Sequence, residues 1–528
     1  MVDHLEVPAR RMTGCSTNPH LVDPMGVAVR LRRPEDPAGI GRFTPSDPSP
    51  GLDVARHPLV ARILRDRRLQ FMLILPNQII FWLVIGIGLL GTVVPGLNFA
   101  TAITWYLWFC LVFVMMVVVG RAWCAMCPFG GFGEWVQRHA FWKRTDSPIG
   151  LGLKMPEKLA QYGFLLSVGA FLVLTWIEEF FNIAGPGNPA STSYMVLGIV
   201  GSALLFFLVF ERRTFCRYVC PLTALIGTVG TMGSVAGFRT RDRDVCLACS
   251  TKDCMRGDAD GFGCPWYTWP GSSDSNSTCG LCTECYKACP SDNVGLFLQK
   301  PLTSVVAPTR RRADVAWAVA VLFGLVVYQQ LNALSSVGAL DTWLNAHTYF
   351  PHYPDPLGYF GIIFAVALVL AGAAKLFEWG FANHDYRPAL AGRNFVDRTS
   401  TFRAYFLPLM YGIIPVVGAD YFARQLPKFF QHLPRVPVSI GHLFGVGSTS
   451  SSLYRASLIS SNAGIIAVQV AVIAVGTAAA MWTSWRIAGR DLAPVGGRRR
   501  VVQVSAASFA LALGIVTAVL YVMMNAAD

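Results

Sequence analysis

The sequence predicts an α-helical polytopic membrane protein of about nine transmembrane helices, with a cysteine-rich module inserted on one side of the bilayer. Three observations carry this. The chain of 528 residues is 53% hydrophobic and 14% charged, with a mean hydropathy of +0.45, whereas soluble domains carry about a quarter charged residues. Apolar stretches recur at the length of about 17–25 residues that a helix needs to cross hydrocarbon. Eight of the 14 cysteines crowd between positions 246 and 289. The net charge of +13 would suit a nucleic-acid binder in a soluble chain, but here it sits in loops between apolar spans. No nucleic-acid partner is expected.

The predicted spans are 70–94, 100–119, 160–177, 194–210, 315–334, 359–378, 403–423, 464–482 and 503–524. Basic loops orient them: Arg62, Arg65, Arg67 and Arg68 precede the first span, and Arg121, Arg138, Lys143, Arg144, Lys154 and Lys158 follow the second. Arg212, Arg213 and Arg310 to Arg312 flank the loop after the fourth; Lys375, Arg387, Arg393 and Arg398, then Arg486, Arg490 and Arg498 to Arg500, mark later ones. The alternate loops at 95–99, 178–193 and 335–358 hold no Lys or Arg. The positive-inside rule then places the N-terminus and the cysteine-rich module in the cytoplasm and the C-terminus outside. Arg424, Lys428, Arg435 and Arg455, in the 424–463 loop on the outer side, run against the rule.

Residues 1–68, rich in Arg, Pro and Asp and without an apolar stretch of secretory type, read as a flexible cytoplasmic arm. Cys15 has no partner nearby and takes no role. A four-helix membrane core follows at 69–238, the module at 239–300, and a five-helix extension at 301–528 to which no motif assigns a purpose.

Within the module, Cys279-x2-Cys282-x2-Cys285-x3-Cys289-Pro290 has the bacterial spacing for a 4Fe–4S cluster. Its short gaps let three thiolates converge from one loop, and the proline turns the chain away. Cys246-x2-Cys249-x4-Cys254-x9-Cys264-Pro265 is a looser version. Structural zinc also takes four cysteines, but zinc ribbons offer paired Cys-x2-Cys knuckles, so iron–sulfur is favoured. A reducing cytoplasm suits thiolate ligands and argues against disulfides.

The first four spans form two similar hairpins. One ends in Arg121-x-Trp123-Cys124-x2-Cys127-Pro128, the other in Arg213-x-Phe215-Cys216-x3-Cys220-Pro221. Each is Arg-x-aromatic-Cys followed by Cys-Pro at the cytoplasmic end of a span. Cys124, Cys127, Cys216 and Cys220 could jointly hold a metal or cluster or act as thiol pairs, with Arg121, Arg213 and Arg217 favouring thiolate. They could also be buried small residues ending helices. Their recurrence at matched positions favours the redox or metal role.

Two Cys-Pro hairpin ends followed by paired ferredoxin-type motifs resemble the membrane polyferredoxin family, which includes the NapH, NosR and CcoG proteins. The likeness covers roughly residues 70–300. It implies a four-helix core, two 4Fe–4S clusters and electron transfer at a bacterial inner membrane. The fourth cysteine of each ferredoxin motif serves the other cluster. Carried over, one cluster takes Cys246, Cys249, Cys254 and Cys289, and the other takes Cys264, Cys279, Cys282 and Cys285. The five spans after residue 315 go beyond the shorter members.

Other candidates are weaker. Cys110, mid-span, reads as packing. Without Cys-x-x-Cys-His, c-type haem is excluded, and all nine histidines lie outside span interiors. His347 and His352 with Asp341 and Asp355, or His432 and His442, could bind metal or move protons, but read more simply as loop polar groups. A quinol site needs a proton acceptor beside an apolar slot; Glu178, Glu179 and Asp420 are the available ones. Snorkelling explains the first two equally well, and pairing with Arg424 would explain Asp420. Trp105, Tyr106 and Trp108 read as an interfacial belt.

The expected function is membrane-integral electron transfer between a quinol of the membrane pool, or a cytoplasmic donor, and a membrane or extracytoplasmic acceptor. The chain would then act as the electron-transfer part of an oxidoreductase. The alternative is metallocentre assembly by copper reduction or delivery, as the CcoG likeness implies.

Overall fold

The computed structural model describes residues 51–143, 148–183, 188–308, 311–332, 334–348, 354–382, 401–492 and 499–526. Cys15, Arg144, Arg310, His352, Arg387, Arg393, Arg398 and Arg498 lie outside them. Among the described residues eight helices are long and apolar enough to cross a membrane, and a bent pair makes a ninth. The short α1 (Pro58–Arg65) leads into α2 (Leu69–Leu90). The second span ends as α3 (Phe109–Val119) and, past a break at Gly120, the chain continues to α4 (Pro128–Arg138). Then come α5 (Gly163–Phe180), α6 (Pro189–Val209) and the short α7 (Leu222–Val229).

The extension opens with α8 (Ala313–Leu331), the axis of the fold. Of its apolar window 83% is buried, against 22–39% for the other spans. It packs on α5, on α9 (Pro356–Ala382), on the bent pair α10 (Thr401–Gly412) and α11 (Ile414–His432), and on α13 (Arg499–Ala526). Small residues permit this: a Cβ on Gly324 would stand 2.5 Å from the Ile363 carbonyl oxygen, so the two backbones nearly touch. The remaining long helix, α12 (Asn462–Ile487), packs on α11 and α13.

Three expectations need correction. The seventh span, predicted as 403–423, bends by 42° between α10 and α11. Pro415, in the first turn of α11, cannot donate back to the preceding helix. Because α11 runs on to His432, Arg424 and Lys428 are carried on a helix and not in a loop, which removes much of the exception to the positive-inside rule. Second, residues 51–68 do not trail free. Strand β1 (Leu52–Asp53) pairs antiparallel with β3 (Val294–Leu298), which also pairs with β2 (Val235–Thr240), in the order β1-β3-β2. Arg65 meets Asp292 at 2.8 Å, and the Asp53 carboxylate accepts from Arg241 at 2.8 Å. A two-residue strand has no periodicity to read, so composition alone misjudged it. Third, Trp105 and Tyr106 are no lipid-facing belt: they are 3% and 7% exposed. The wider helical turn over Ala102–Trp108 rotates them inward, and Trp105 Nε1 donates to Thr192 Oγ1 at 3.1 Å.

Candidate functional site

The small sheet fixes the module against the membrane core. Left-handed backbone at Leu281 and Thr283 curls the loop between Cys279 and Cys285, alternating with the cysteines along the chain. Cys264, Cys279, Cys282 and Cys285 come within electrostatic range of one another, as do Cys246, Cys249, Cys254 and Cys289. Cys254 faces Cys264 and Cys285 across the two groups. Thus the fourth cysteine of the compact motif, Cys289, sits with the looser motif, and Cys264 with the compact one.

Amide groups point at the sulfurs. Asn293 donates its backbone N–H to Cys289 Sγ at 3.2 Å and its Nδ2 to Cys246 Sγ at 3.3 Å, tying two distant cysteines to one residue. The Cys246 thiol donates to Thr240 Oγ1 at 3.0 Å, and the Thr268 N–H donates to Cys264 Sγ at 3.3 Å. A Cβ at Gly237, whose φ is +91°, would come 2.9 Å from Cys279 Sγ, so only glycine leaves that sulfur room. Burial pushes the thiols of Cys246, Cys264, Cys282 and Cys285 up, and neighbouring cysteines add to it. Four crowded sulfurs in each group, some of them bonded by amides, suit a centre that takes thiolates and neutralises their charge, and a 4Fe–4S cluster does so.

The hairpin ends are built alike. Cys127 precedes Pro128, the first residue of α4, and Cys220 precedes Pro221, which caps α7. Backbone N–H groups of Phe129 and Gly130 reach Cys127, and that of Leu222 reaches Cys220. Each sulfur therefore accepts from the otherwise unpaired N–H groups of a helix N-terminus. The structure brings Cys124, Cys127, Cys216 and Cys220 to the wall of one cavity of about 160 Å³. At Gly130 a Cβ would stand 3.2 Å from Cys216 Sγ. Cys110 is buried in the core of α3, as a packing residue would be.

Between this cavity and the module stands Trp266, two residues after Cys264 and 2% exposed. Its indole also lines the cavity, with the Arg121 guanidinium 4.5 Å from its centre and that of Arg213 at 6.0 Å. Arg213 donates to the Cys124 carbonyl oxygen at 2.8 Å and pairs with Glu134 at 2.6 Å. Burial disfavours its charge, but the Glu134 carboxylate outweighs this and holds its pKa above the usual value. Arg213 also lies in electrostatic range of both Cys216 and Cys282, linking hairpin to module. Glu134 and Trp266 escaped the sequence reading; the signal for Trp266 was its place directly after Cys264-Pro265. Replacing Arg213 with Met leaves Glu134 buried with Arg138, at 3.0 Å, as its remaining ion pair. The expected cost is about 3–5 kcal/mol, read as reduced yield and a lower melting temperature in detergent. The double substitution Arg213→Met with Glu134→Leu should recover most of it.

The histidine and carboxylate candidates outside the module take structural places. Asp355 caps α9 through Leu357 N–H at 2.8 Å and accepts from Thr348 Oγ1 at 2.5 Å, while its own N–H donates to Asp341 at 3.2 Å. His347 bonds the Trp343 carbonyl at 2.8 Å, His432 lies against the Tyr106 ring, and His442 meets the Gly447 carbonyl at 2.8 Å. Among the described residues no three His, Cys, Asp or Glu side chains close round a single mononuclear ion. Asp420 is fully buried and, among the described residues, pairs with no arginine; it accepts from Gln330 at 2.7 Å, and Arg424 turns instead to Glu179 at 3.9 Å.

A family described as a 4Fe-4S binding domain matches the chain twice, over residues 101–145 and 192–236. The first match holds Cys124 and Cys127, the second Cys216 and Cys220; both stop short of Cys246. The protein is an iron–sulfur, metal-binding protein of electron transport, and its eight apolar helices make it a multi-pass membrane protein. No curated protein and no solved structure matches the chain.

Proposed function

We propose that the protein passes single electrons between a quinol and a protein acceptor in or beyond the membrane, in the manner of the NapH-type membrane polyferredoxins. Cys246, Cys249, Cys254 and Cys289 hold one cluster, and Cys264, Cys279, Cys282 and Cys285 the other. The hairpin cysteines form a third thiol centre facing the membrane interior. Bound clusters supply reversible one-electron chemistry at potentials set by burial and hydrogen bonds. The chain's own residues do the rest: Asn293, Thr240 and Thr268 hydrogen-bond the sulfurs, Arg213 and Arg121 place positive charge between the groups, and Trp266 closes the cavity against the module.

One observation carries this reading. Three sulfur groups succeed one another from Cys249 at the surface, through Cys254 and Cys264, past Arg213 and Trp266, to a cavity among apolar helices. Stopped-flow mixing of anaerobic protein in detergent with a reduced short-chain quinol tests it. The expected result is bleaching of iron–sulfur absorbance within seconds; full reduction by dithionite with none by any quinol would overturn the quinol donor.

Copper handling, the CcoG-like alternative, is favoured by the four cysteines on one cavity wall, since soft thiolates select Cu(I). Stoichiometric Cu(I) binding that disappears when Cys124, Cys127, Cys216 and Cys220 are replaced would favour it.

The proposed orientation has a separate check. A cysteine introduced at exposed Ser450 should react with an impermeant maleimide in intact cells, and one at exposed Ser272 only after permeabilisation. The reverse pattern would invert the topology.

A further inference from the structure

The extension, which no motif explains, builds a second cavity against the core. It encloses about 210 Å³ between α5, α8, α11, α12 and α13. Its walls carry Glu178, Arg424, Lys428, Gln330, Gln425 and Tyr521 among apolar residues, so it is more polar than the cysteine-lined cavity. The two share Trp105, Phe109, Phe171, Thr175 and Glu178 as lining and therefore meet at that wall. The two cavities thus adjoin along one wall that includes the Glu178 carboxylate, with four cysteines lining one and Arg424 and Lys428 lining the other.

The chamber is made by irregular backbone. The break at Pro415 redirects α11, and Pro427, which lines the chamber, cannot donate to the Ala423 carbonyl. Gln469 from α12 takes that oxygen at 3.0 Å. Around Glu178 stand Glu179 on its own helix and Lys428 and Arg424 on α11. From α8, Gln329 donates to Glu179 at 2.8 Å and Gln330 to Asp420 at 2.7 Å; from α13, Tyr521 donates to the Asp420 carbonyl at 3.2 Å. Tyr359 of α9 meets Thr175 at 2.7 Å. Gln330 is 1% exposed, yet its Oε1 has no protein partner among the described residues. Charges and amides so deep among membrane helices are costly, and they are kept where a polar path is needed.

We propose that a quinol headgroup seats where the cavities join, with its hydroxyl on the Glu178 carboxylate, and that the extension's chamber carries its protons to the outer side. This rests on the quinol reading above. Oxidation breaks two O–H bonds and leaves the quinone. Two electrons pass one at a time to oxidised iron–sulfur centres, and the two protons pass in turn to Glu178 and through the chamber. Lys428 and Arg424 of α11 place positive charge near Glu178, and the chamber's amides and Tyr521 supply the hydrogen-bonding groups along which a proton moves. Electrons and protons therefore leave the headgroup in opposite directions.

Binding is read with oxidised decylubiquinone by quenching of tryptophan fluorescence, which needs no turnover. Leu174→Trp, which fills the apolar cavity, should weaken binding at least about tenfold. Glu178→Gln should keep binding while slowing quinol oxidation about a hundredfold, the scale of a lost general base. In proteoliposomes, proton release on the outer side should slow about tenfold in Lys428→Met, and likewise in Gln425→Leu, which keeps every ion pair, as losses within a general acid–base path. No quenching by decylubiquinone would overturn the quinol reading itself. Quenching with unchanged proton release in both Lys428→Met and Gln425→Leu would leave that reading standing and overturn the role given to the extension.

Discussion

Replacing Cys282 with Ala is expected to remove one cluster and leave the other, lowering iron from about eight to about four atoms per chain. Cys282 is buried in the group that abuts Arg213 and the membrane core. Loss of one thiolate leaves three sulfurs, those of Cys264 and Cys285 buried, with no shared centre to neutralise them. It also releases a loop that is held by left-handed turns at Leu281 and Thr283 and has little regular structure of its own. Ligation is part of folding in such a loop, so yield should fall as well. Asn293 and its two sulfurs belong to the other group, so that cluster should persist with its own electron paramagnetic resonance signal. Loss of both clusters, or of neither, would contradict the division into two groups.

Replacing Cys124, Cys127, Cys216 and Cys220 together by Ser is expected to leave the iron of the module in place yet abolish rapid reduction by quinol. The slowing should be at least about tenfold, or ~1.4 kcal/mol in the barrier. These four line the apolar cavity together with Trp266, on the route proposed for an electron leaving that cavity. If they only pack at helix ends, the substitution removes little volume and reduction should continue at the original rate. Normal iron content with unchanged kinetics would reduce them to packing residues.

Much of this was legible in the sequence because its signals are local or strongly periodic. The long spans announce themselves by hydropathy, and the cysteine spacings by the short loops a cubane demands. The crossed grouping came from the likeness to ferredoxins and not from spacing. What stayed hidden was non-local. Two residues of β1 gain their meaning only from pairing with β3, about 240 residues later. The partners Arg213 and Glu134 are 79 positions apart, and neither looks unusual alone. The joining of the two cavities at Glu178 depends on how α11 bends, and a proline shows where a helix breaks but not where it then points. Trp105 read as a membrane belt because aromatic composition does not reveal which way a helix face is turned.

The central claim is that the module cysteines hold two 4Fe–4S clusters, and metal and sulfide analysis of the anaerobically purified full chain tests it most directly. The expected result is about eight iron atoms and eight acid-labile sulfides per chain from the module, with broad absorbance that bleaches on reduction. Stoichiometric zinc, with neither labile sulfide nor that absorbance, would contradict it.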